Sequence, residues 1–195
     1  MVELIYPSSP APVLPRPNAM HPGPAAHSSE MLPVVEEDGI VIAQASRSYC
    51  HSGSRLLHPV VHLHIIDRFG RIYLQRRSPS KELYPGFWDT AVGGHVTYGE
   101  TAEEALYREA EEELGLRRFI PQPLGSYVWE TARDREFVLM WAAVGNFELS
   151  PDAAEVAEGR WFDAEEIDNP AREFPVTPNF LSEFASVRKS LYALL

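Results

Sequence analysis

The stretch from Thr101 to Leu116 constrains the fold more than any other part of this chain. Thr101, with Glu104 three residues later, forms the capping-box pattern that begins a helix, and Gly115 is a typical residue just beyond a helix end. The apolar residues between them recur at helical spacing and form one narrow stripe, made of Leu106, Ala110 and Leu114. A helix with so narrow a stripe buries one side only, so we expect it to pack on a sheet.

Apolar segments of strand length precede and follow this helix. They predict strands at 39–47, 59–67, 71–77, 88–96, 124–130 and 136–144, then a further segment at 160–167 and a last helix near 178–193. The sequence contains no visible internal repeat, and its strands and helices mix without regular βαβ alternation. We therefore predict a mixed-sheet α/β or α+β domain.

The first 30 residues differ in composition from the rest of the chain. They hold seven of the 17 prolines among Ala, Ser and His. A segment of this kind buries too little apolar surface to order itself. We expect residues 1–30 to be a disordered Pro-rich extension and residues 31–195 to form the folded domain, for which a composition of 45% hydrophobic residues is sufficient.

The formal net charge of −11 limits the kind of partner. It argues against a nucleic-acid polymer or an anionic membrane, but a small phosphorylated ligand remains compatible because bound cations reverse the local sign. No apolar run is long enough to cross a bilayer. The lone Cys50 cannot form an internal disulfide, which favours a reducing cytoplasm. A homodimer is left open.

Acidic residues are concentrated on the predicted helix at 101–116. Glu109, Glu112 and Glu113 lie at i, i+3 and i+4 and therefore share one face, where like charges repel each other. Clustered carboxylates suit a hard divalent cation such as Mg²⁺ or Mn²⁺, which often shares its oxygen ligands with substrate phosphates. The alternative is a solvated acidic face. Glycines in the preceding 93-GGHVTYG-99 let backbone approach a ligand closely.

The spacing of these residues resembles the Nudix box. Gly94 is followed after five residues by Glu100 and, after seven more, by 108-REAEEELGL-116. The one soft departure is Ala110, where a larger aliphatic residue is usual. This position serves packing, so the departure leaves the chemistry intact.

The resemblance implies an α/β/α sandwich around a mixed sheet and a metal-dependent hydrolase that cleaves a small-molecule diphosphate, such as a nucleoside diphosphate derivative. It implies that Mg²⁺ or Mn²⁺ is held by Glu109, Glu112 and Glu113, that Arg108 orients these glutamates, and that Glu100 fixes the loop. Catalysis is assigned to Glu112, Glu113 and Arg108, with Glu136 as a further carboxylate able to accept a proton. The substrate is expected to contact Gly94, Arg76 and Arg77.

A second set of residues resembles one branch of the same superfamily, isopentenyl-diphosphate isomerase. The set comprises 75-QRRSPSKELYPGFWDTAVGGH-95 and three histidines at that enzyme's metal-ligand spacing, namely His51, His58 and His95. Asp134 and Glu136 fall near its two acidic residues. The resemblance implies a second divalent ion. Imidazole ligands would favour Mn²⁺ or Zn²⁺, and they would release the ion as they become protonated at about pH 6. The alternative is that these histidines are structural.

Gly93 is the residue at which this second resemblance fails. The catalytic cysteine of the isomerase would fall at this position, and glycine supplies neither an acid nor a base. We therefore favour hydrolysis. Isomerase activity and a sensor that binds a nucleotide or diphosphate without turnover remain as alternatives.

Overall fold

The computed structural model describes residues 2–14, 30–81, 83–170 and 174–195. These residues form two compact units. The first contains the described part of 1–61, together with 94–105 and 125–139, and the second contains the described parts of 62–93, 106–124 and 140–195. No helix among the described residues is long and apolar enough to span a membrane.

The described residues form nine strands and four α-helices. The strands are β1 (Met31–Val35), β2 (Val41–Ser46), β3 (Leu57–Ile66), β4 (Ile72–Arg77), β5 (Trp88–Asp89), β6 (Val92–His95), β7 (Gln122–Glu130), β8 (Arg135–Val144) and β9 (Val156–Phe162). The helices are α1 (Arg47–Tyr49), which continues into a π-helical turn at Cys50–Ser54, then α2 (Ala102–Leu114), α3 (Ala164–Asp168) and α4 (Pro178–Tyr192). The predicted strand at 88–96 is thus two short strands, and the segment at 160–167 is the end of β9 followed by α3.

The described strands form two sheets. β1 and β2 form an antiparallel pair, and the other seven strands form one sheet in the order β5-β4-β3-β8-β7, with β6 paired to β3 and β9 paired to β4. The β4–β9 pair is antiparallel and runs from Ile72 opposite Phe162 to Arg77 opposite Val156. This arrangement confirms the predicted mixture of strands and helices around a multistranded sheet.

Helix α2 begins and ends as its sequence predicts. The backbone N–H of Glu104 donates to the Thr101 hydroxyl at 3.2 Å, and the Thr101 N–H donates to the Glu104 carboxylate at 2.8 Å. At the other end Gly115 adopts a φ of +63°, and its N–H donates to the Glu111 carbonyl at 2.9 Å, which is the αL capping pattern. The stripe of Leu106, Ala110 and Leu114 is fully buried, which fixes the orientation of the helix about its axis.

The first unit has a small apolar core beneath its two-stranded sheet. The core consists of Leu32, Val34, Ala43, Ala45 and Cys50. Burial raises the pKa of the Cys50 thiol to about 12, with a smaller contribution from the charge of Asp134. This agrees with an inert buried thiol.

The N-terminal residues differ from the disordered extension expected for 1–30. Residues 2–14 lie against β2, where Ile5 bridges to Ile40 and Val13 bridges to Gln44. The physical reason is main-chain hydrogen bonding to the strand, since only Ala11 in this segment is fully buried. Residues 15–29 of the predicted extension lie outside the described residues.

The second unit has a larger core, which α3 and α4 cover. Its fully buried members include Trp88, Phe162, Ile167, Phe180 and Leu191, so strands β5 and β9 pack against both helices. Thr177 caps α4 by accepting a hydrogen bond from the Phe180 N–H at 3.3 Å, followed by Pro178 at the first helical position. α4 is thereby fixed against the sheet with one acidic side chain, Glu183, inside the core.

Candidate active site and metal centre

Arg108 pairs with two of the three glutamates predicted to hold a metal. Its Nη1 lies 2.7 Å from Glu109 Oε1 and 3.3 Å from Glu112 Oε2. Glu112 is one helical turn from Arg108, and 58% of its side chain is exposed. The guanidinium therefore holds both carboxylates at one side of α2, as an orienting residue would.

Glu113 is the buried member of the same face. Its Oε2 accepts hydrogen bonds from the Gln75 side-chain amide at 2.9 Å and from the Gly93 backbone N–H at 3.2 Å. Burial, together with the charge of Glu109, raises the pKa of the Glu113 carboxyl to about 8, and the two hydrogen bonds only partly oppose this rise. A buried carboxylate beside a second one requires nearby positive charge to ionise at neutral pH, and a divalent cation would supply that charge.

Gln75 was not among the residues that the sequence pointed to. It is buried on β4, and its amide fixes one oxygen of Glu113. The sequence contained one indication that Gln75 has a partner. Its side chain is polar, whereas the other residues of the run 72-IYLQ-75 are all buried and mostly apolar. A buried amide in such a run requires a partner, but the run itself does not identify it.

Ligand atoms converge most closely in the first unit. Within the described ranges, two groups of three or more ligand side chains have all their ligand atoms within 4.8 Å of one another: His51, His58 and His95, and His58, Asp134 and Glu136. Neither group contains a glutamate of α2. The structure therefore brings the predicted histidines together. The carboxylate oxygens of Glu109, Glu112 and Glu113 do not form a group in which all ligand atoms lie within 4.8 Å of one another.

His58 has the geometry of a metal ligand. Its Nδ1 lies 2.9 Å from the Leu56 carbonyl oxygen, and since a carbonyl only accepts, Nδ1 carries the proton. The lone pair of a neutral ring is then on Nε2, which is buried without a hydrogen-bond partner in the described structure. Burial lowers the pKa of His58 to about 4, although the Leu56 carbonyl favours the protonated ring. The ring is consequently neutral, which is the form that binds a cation.

His51, His95 and Asp134 complete this arrangement. His51 Nδ1 lies 2.5 Å from Asp134 Oδ2, and its Nε2 lies 2.9 Å from His95 Nε2. Burial alone would raise the pKa of Asp134, but the hydrogen bond from His51 and the charges of His51 and His58 together hold this pKa below the usual range. Histidines with one nitrogen fixed by an oxygen atom and the other directed at a common point are typical of imidazole metal sites. These residues therefore fit a divalent ion with nitrogen ligands.

Arg76 and Arg77 hold the loop that follows β4. Arg76 Nη1 lies 3.4 Å from Glu158, and Arg77 Nη1 lies 3.0 Å from Asp89. Both Nε atoms donate to carbonyls of the 83–86 loop, at 3.3 Å for Arg76 and 3.1 Å for Arg77. Their predicted contact with substrate phosphates, like that of the partly buried Gly94 on β6, remains a prediction.

Two further histidines form a buried cluster with a glutamate of α4. His62 Nδ1 lies 2.7 Å from Glu183 Oε2, and His64 Nε2 lies 2.6 Å from Glu183 Oε1. Burial would raise the pKa of Glu183, but the charge of His62 and the hydrogen bonds from both rings hold it far below the usual range. The sequence signal for Glu183 was an acidic residue on the apolar face of α4, one position before Phe184.

Comparison with known proteins identifies the relatives of this chain. The NUDIX domain family matches residues 56–184. The Nudix hydrolase YfcD of Salmonella typhi is 36% identical over 160 residues, which cover 81% of this chain and 84% of that protein. An isopentenyl-diphosphate Delta-isomerase of Leifsonia xyli is 36% identical over 142 residues, covering 69% and 77% respectively.

Solved structures share the same fold. DR0079 from Deinococcus radiodurans superposes with a TM-score of 0.69 at 27% identity, over 81% of this chain and 99% of that one. The NUDIX domain of Shewanella oneidensis NrtR, solved with ADP ribose, has a TM-score of 0.57 at 16% identity, over 68% and 87%. The predicted α/β/α sandwich around a mixed sheet is thereby confirmed.

Proposed function

Because this chain belongs to the Nudix family and is a Nudix-type hydrolase, we propose that it cleaves the diphosphate linkage of a nucleoside diphosphate derivative or a related compound by attack of water on phosphorus. The observation that carries this proposal is Glu113. A buried carboxylate with a raised pKa, fixed by Gln75 and Gly93 beside the charge of Glu109, is costly unless a cation compensates it. Perturbed groups of this kind are typical of catalytic sites.

Glu109, Glu112 and Glu113 would hold the cation, Mg²⁺ or Mn²⁺, through carboxylate oxygens. Such an ion, when bound, polarises the diphosphate, neutralises developing charge and lowers the pKa of a bound water. Arg108 keeps Glu109 and Glu112 at one side of the helix by pairing with both. Gln75 and the Gly93 N–H hold one oxygen of Glu113, so that its second oxygen has a defined direction.

We assign the remaining roles by chemistry. Glu136, partly buried on β8, is a carboxylate able to accept a proton from the attacking water. The backbone of Gly94 and the guanidinium groups of Arg76 and Arg77 are assigned to substrate phosphates. The second divalent ion is assigned to His51, His58 and His95, with Asp134 orienting His51.

Substitution of the box glutamates tests the metal assignment. We expect Glu112→Gln and Glu113→Gln each to lower turnover by at least about a hundredfold under saturating Mg²⁺, because each removes one charged ligand while keeping the side-chain shape. Glu111→Gln is the matched control, since Glu111 lies on the same helix and pairs with Arg117 at 2.9 Å. Wild-type turnover in either ligand variant would contradict the assignment.

A screen of diphosphate compounds, including nucleotide sugars, dinucleotides and ADP-ribose, with Mg²⁺ and with Mn²⁺ tests the reaction itself. A hydrolase releases phosphate or a monophosphate, an isomerase moves a double bond without releasing phosphate, and a sensor binds without turnover. Release of a monophosphate from at least one compound is the expected result.

Isomerase activity is the second candidate, and the histidine site is the observation that favours it. Gly93 argues against it, because this residue has no side chain to donate or accept a proton. The nearest side-chain atoms to a Cβ built at position 93 belong to His62, at 3.4 Å, and His62 is already held by Glu183. We therefore expect no conversion of isopentenyl diphosphate by the wild-type protein, and detectable conversion would overturn the hydrolase proposal.

A further inference from the structure

The N-terminal segment forms main-chain hydrogen bonds along β2. The Ile5 N–H donates to the Gly39 carbonyl at 3.0 Å, and the Ile5 carbonyl accepts from the Val41 N–H at 2.9 Å. Further along, the Leu14 N–H donates to the Gln44 carbonyl at 2.7 Å. Residues 2–14, here called the N-terminal strap, are thus fixed at both ends to one strand of the first unit.

Between these two points the strap contacts the loop that precedes α2. The Tyr6 hydroxyl donates to the Glu100 carbonyl at 2.9 Å and accepts from the Gly99 N–H at 3.2 Å. The Tyr6 ring packs edge-on against the Tyr98 ring, with 5.5 Å between centroids. The Ala11 N–H donates to the Tyr98 hydroxyl at 2.8 Å. Three consecutive residues of the loop are therefore held by the strap.

The loop is itself a tight turn between two parts of the proposed site. The Thr97 N–H donates to the Glu100 carboxylate and the Glu100 N–H donates to the Thr97 carbonyl, both at 3.0 Å. Gly99 adopts a φ of +93°, a conformation that other residues rarely accept. The turn links His95, at the end of β6, to the first residue of α2. A displacement of this turn would move a proposed metal ligand on one side and the start of the box helix on the other.

Burial explains only part of this contact, since Ala11 is buried and Leu14 packs partly buried against the apolar core of the first unit. Ile5 and Val13, two of the strap's large apolar residues, are 57% and 60% exposed. The strap contacts the loop through directional hydrogen bonds, which define geometry and each add only a modest amount to stability.

We propose that the N-terminal strap positions the loop at residues 96–101 for metal binding, and that Tyr6 is the positioning residue through which it acts. The inference rests on the proposed function, since the loop carries the family's Glu100 and connects His95 to α2. Tyr6 touches neither cation nor substrate. It acts by fixing the main chain of Gly99 and Glu100.

Tyr6→Phe separates this role from packing, because it removes both hydroxyl hydrogen bonds and keeps the ring. We expect the Mn²⁺ concentration for half-saturation, measured from the electron paramagnetic resonance of unbound Mn²⁺, to rise about three- to tenfold. Amide hydrogen exchange in residues 96–101 should accelerate in the same variant, since the Gly99 N–H loses its acceptor. The matched control is Tyr192→Phe, which removes a tyrosine hydroxyl bond of the same kind, 2.9 Å from the Gly70 carbonyl.

Tyr192→Phe should change neither quantity when both variants are measured well below their melting temperatures. Unchanged Mn²⁺ affinity or unchanged loop exchange in Tyr6→Phe would overturn the proposal, as would an equal change in both variants. The exchange measurement needs no metal, and neither measurement needs a substrate. Failure of the wild-type protein to hydrolyse any diphosphate would therefore contradict the proposed function without affecting this test.

Discussion

Glu113 differs from its neighbours because of its surroundings and not because of its position in the box. Glu112, the adjacent residue, is mostly exposed, whereas Glu113 is buried against Gln75 and Gly93. Its folded-state pKa of about 8 exceeds the ordinary value of 4.5. The folded protein therefore binds this proton more tightly than the unfolded chain does.

This shift predicts a pH dependence of stability in the absence of divalent cations. The contribution of Glu113 is fully present below about pH 4.5 and is lost as the pH rises through about 8, because ionisation is easier in the unfolded chain. We expect the melting temperature of the wild-type protein to fall over this window relative to that of Glu113→Gln, and Mg²⁺ to raise the melting temperature more at the alkaline end. Differential scanning calorimetry in the presence of a chelator measures the melting temperature at each pH. Glu112→Gln is the control, and its melting temperature should depend on pH as that of the wild-type protein does.

If the melting temperatures of Glu113→Gln and of the wild-type protein changed equally with pH, Glu113 would not be the cause of the pH dependence. A Mg²⁺ effect independent of pH would likewise contradict the placement of the cation beside this carboxylate.

His58 differs from an ordinary histidine because its ring is buried. The sequence predicts loss of the second metal near about pH 6, where an ordinary histidine is substantially protonated. Burial lowers the pKa of His58 to about 4, so this ring keeps its lone pair at that pH. The tautomer of His58 is fixed by the carbonyl of Leu56, two residues earlier. The spacing of the histidines in the sequence does not predict this hydrogen bond.

At the scale of elements, α4 carries an acidic residue where its amphipathic pattern requires an apolar one. Glu183 is buried between Phe180 and Phe184 in the helix and pairs with His62 and His64 of β3. A buried charge with two partners fixes the register of the helix against the strand, because any shift leaves it unpaired.

We expect Glu183→Ala to lower the free energy of unfolding by about 3–5 kcal/mol, since it breaks the cluster and leaves two buried imidazoles without their acceptor. Urea denaturation at neutral pH measures this. Ser182→Ala, an exposed neighbour on the same helix, is the control and should change the value by less than about 0.5 kcal/mol. A loss below about 1 kcal/mol for Glu183→Ala would show that the cluster contributes little.

Elements formed by interactions between nearby residues were predicted from the sequence, whereas elements formed by distant interactions were not. Helix α2 matches the sequence because its caps and its stripe lie within 16 consecutive positions, 101–116. Strand β1 and the helical residues 47–54 were not predicted, although the latter carry His51. β1 exists because β2 pairs with it, and the π-helical turn depends on Gly53, whose φ is +91°. Neither cause is visible in a short sequence window.

Over the whole molecule, a net charge of −11 has to be reconciled with the anionic substrate that we propose. Bound divalent cations would resolve this conflict by neutralising carboxylates and phosphates together. Both the glutamates of α2 and the histidine group of the first unit fit such ions. The number of ions that one chain binds is therefore the quantity that tests the two assignments.

We expect a variant with His58→Ala and His95→Ala to bind one Mn²⁺ fewer per chain than the wild-type protein, because it removes two of three converging imidazoles. Equilibrium dialysis with metal analysis measures the stoichiometry. Glu111→Gln is the control and should leave it unchanged. An unchanged stoichiometry in the double variant would mean that the histidines are structural.

The sequence by itself determined the helix α2, its acidic face, the order of most strands and, through the box, the family. These follow from short-range causes such as caps, periodicity and fixed spacing. Only the tertiary structure decided which residues complete the sites. Gly93 binds Glu113 across 20 positions, Tyr6 holds Glu100 across 94, and Glu183 joins His62 across 121. Such contacts depend on how the chain packs, and a buried polar group selects its partner only when the fold brings one within hydrogen-bonding distance.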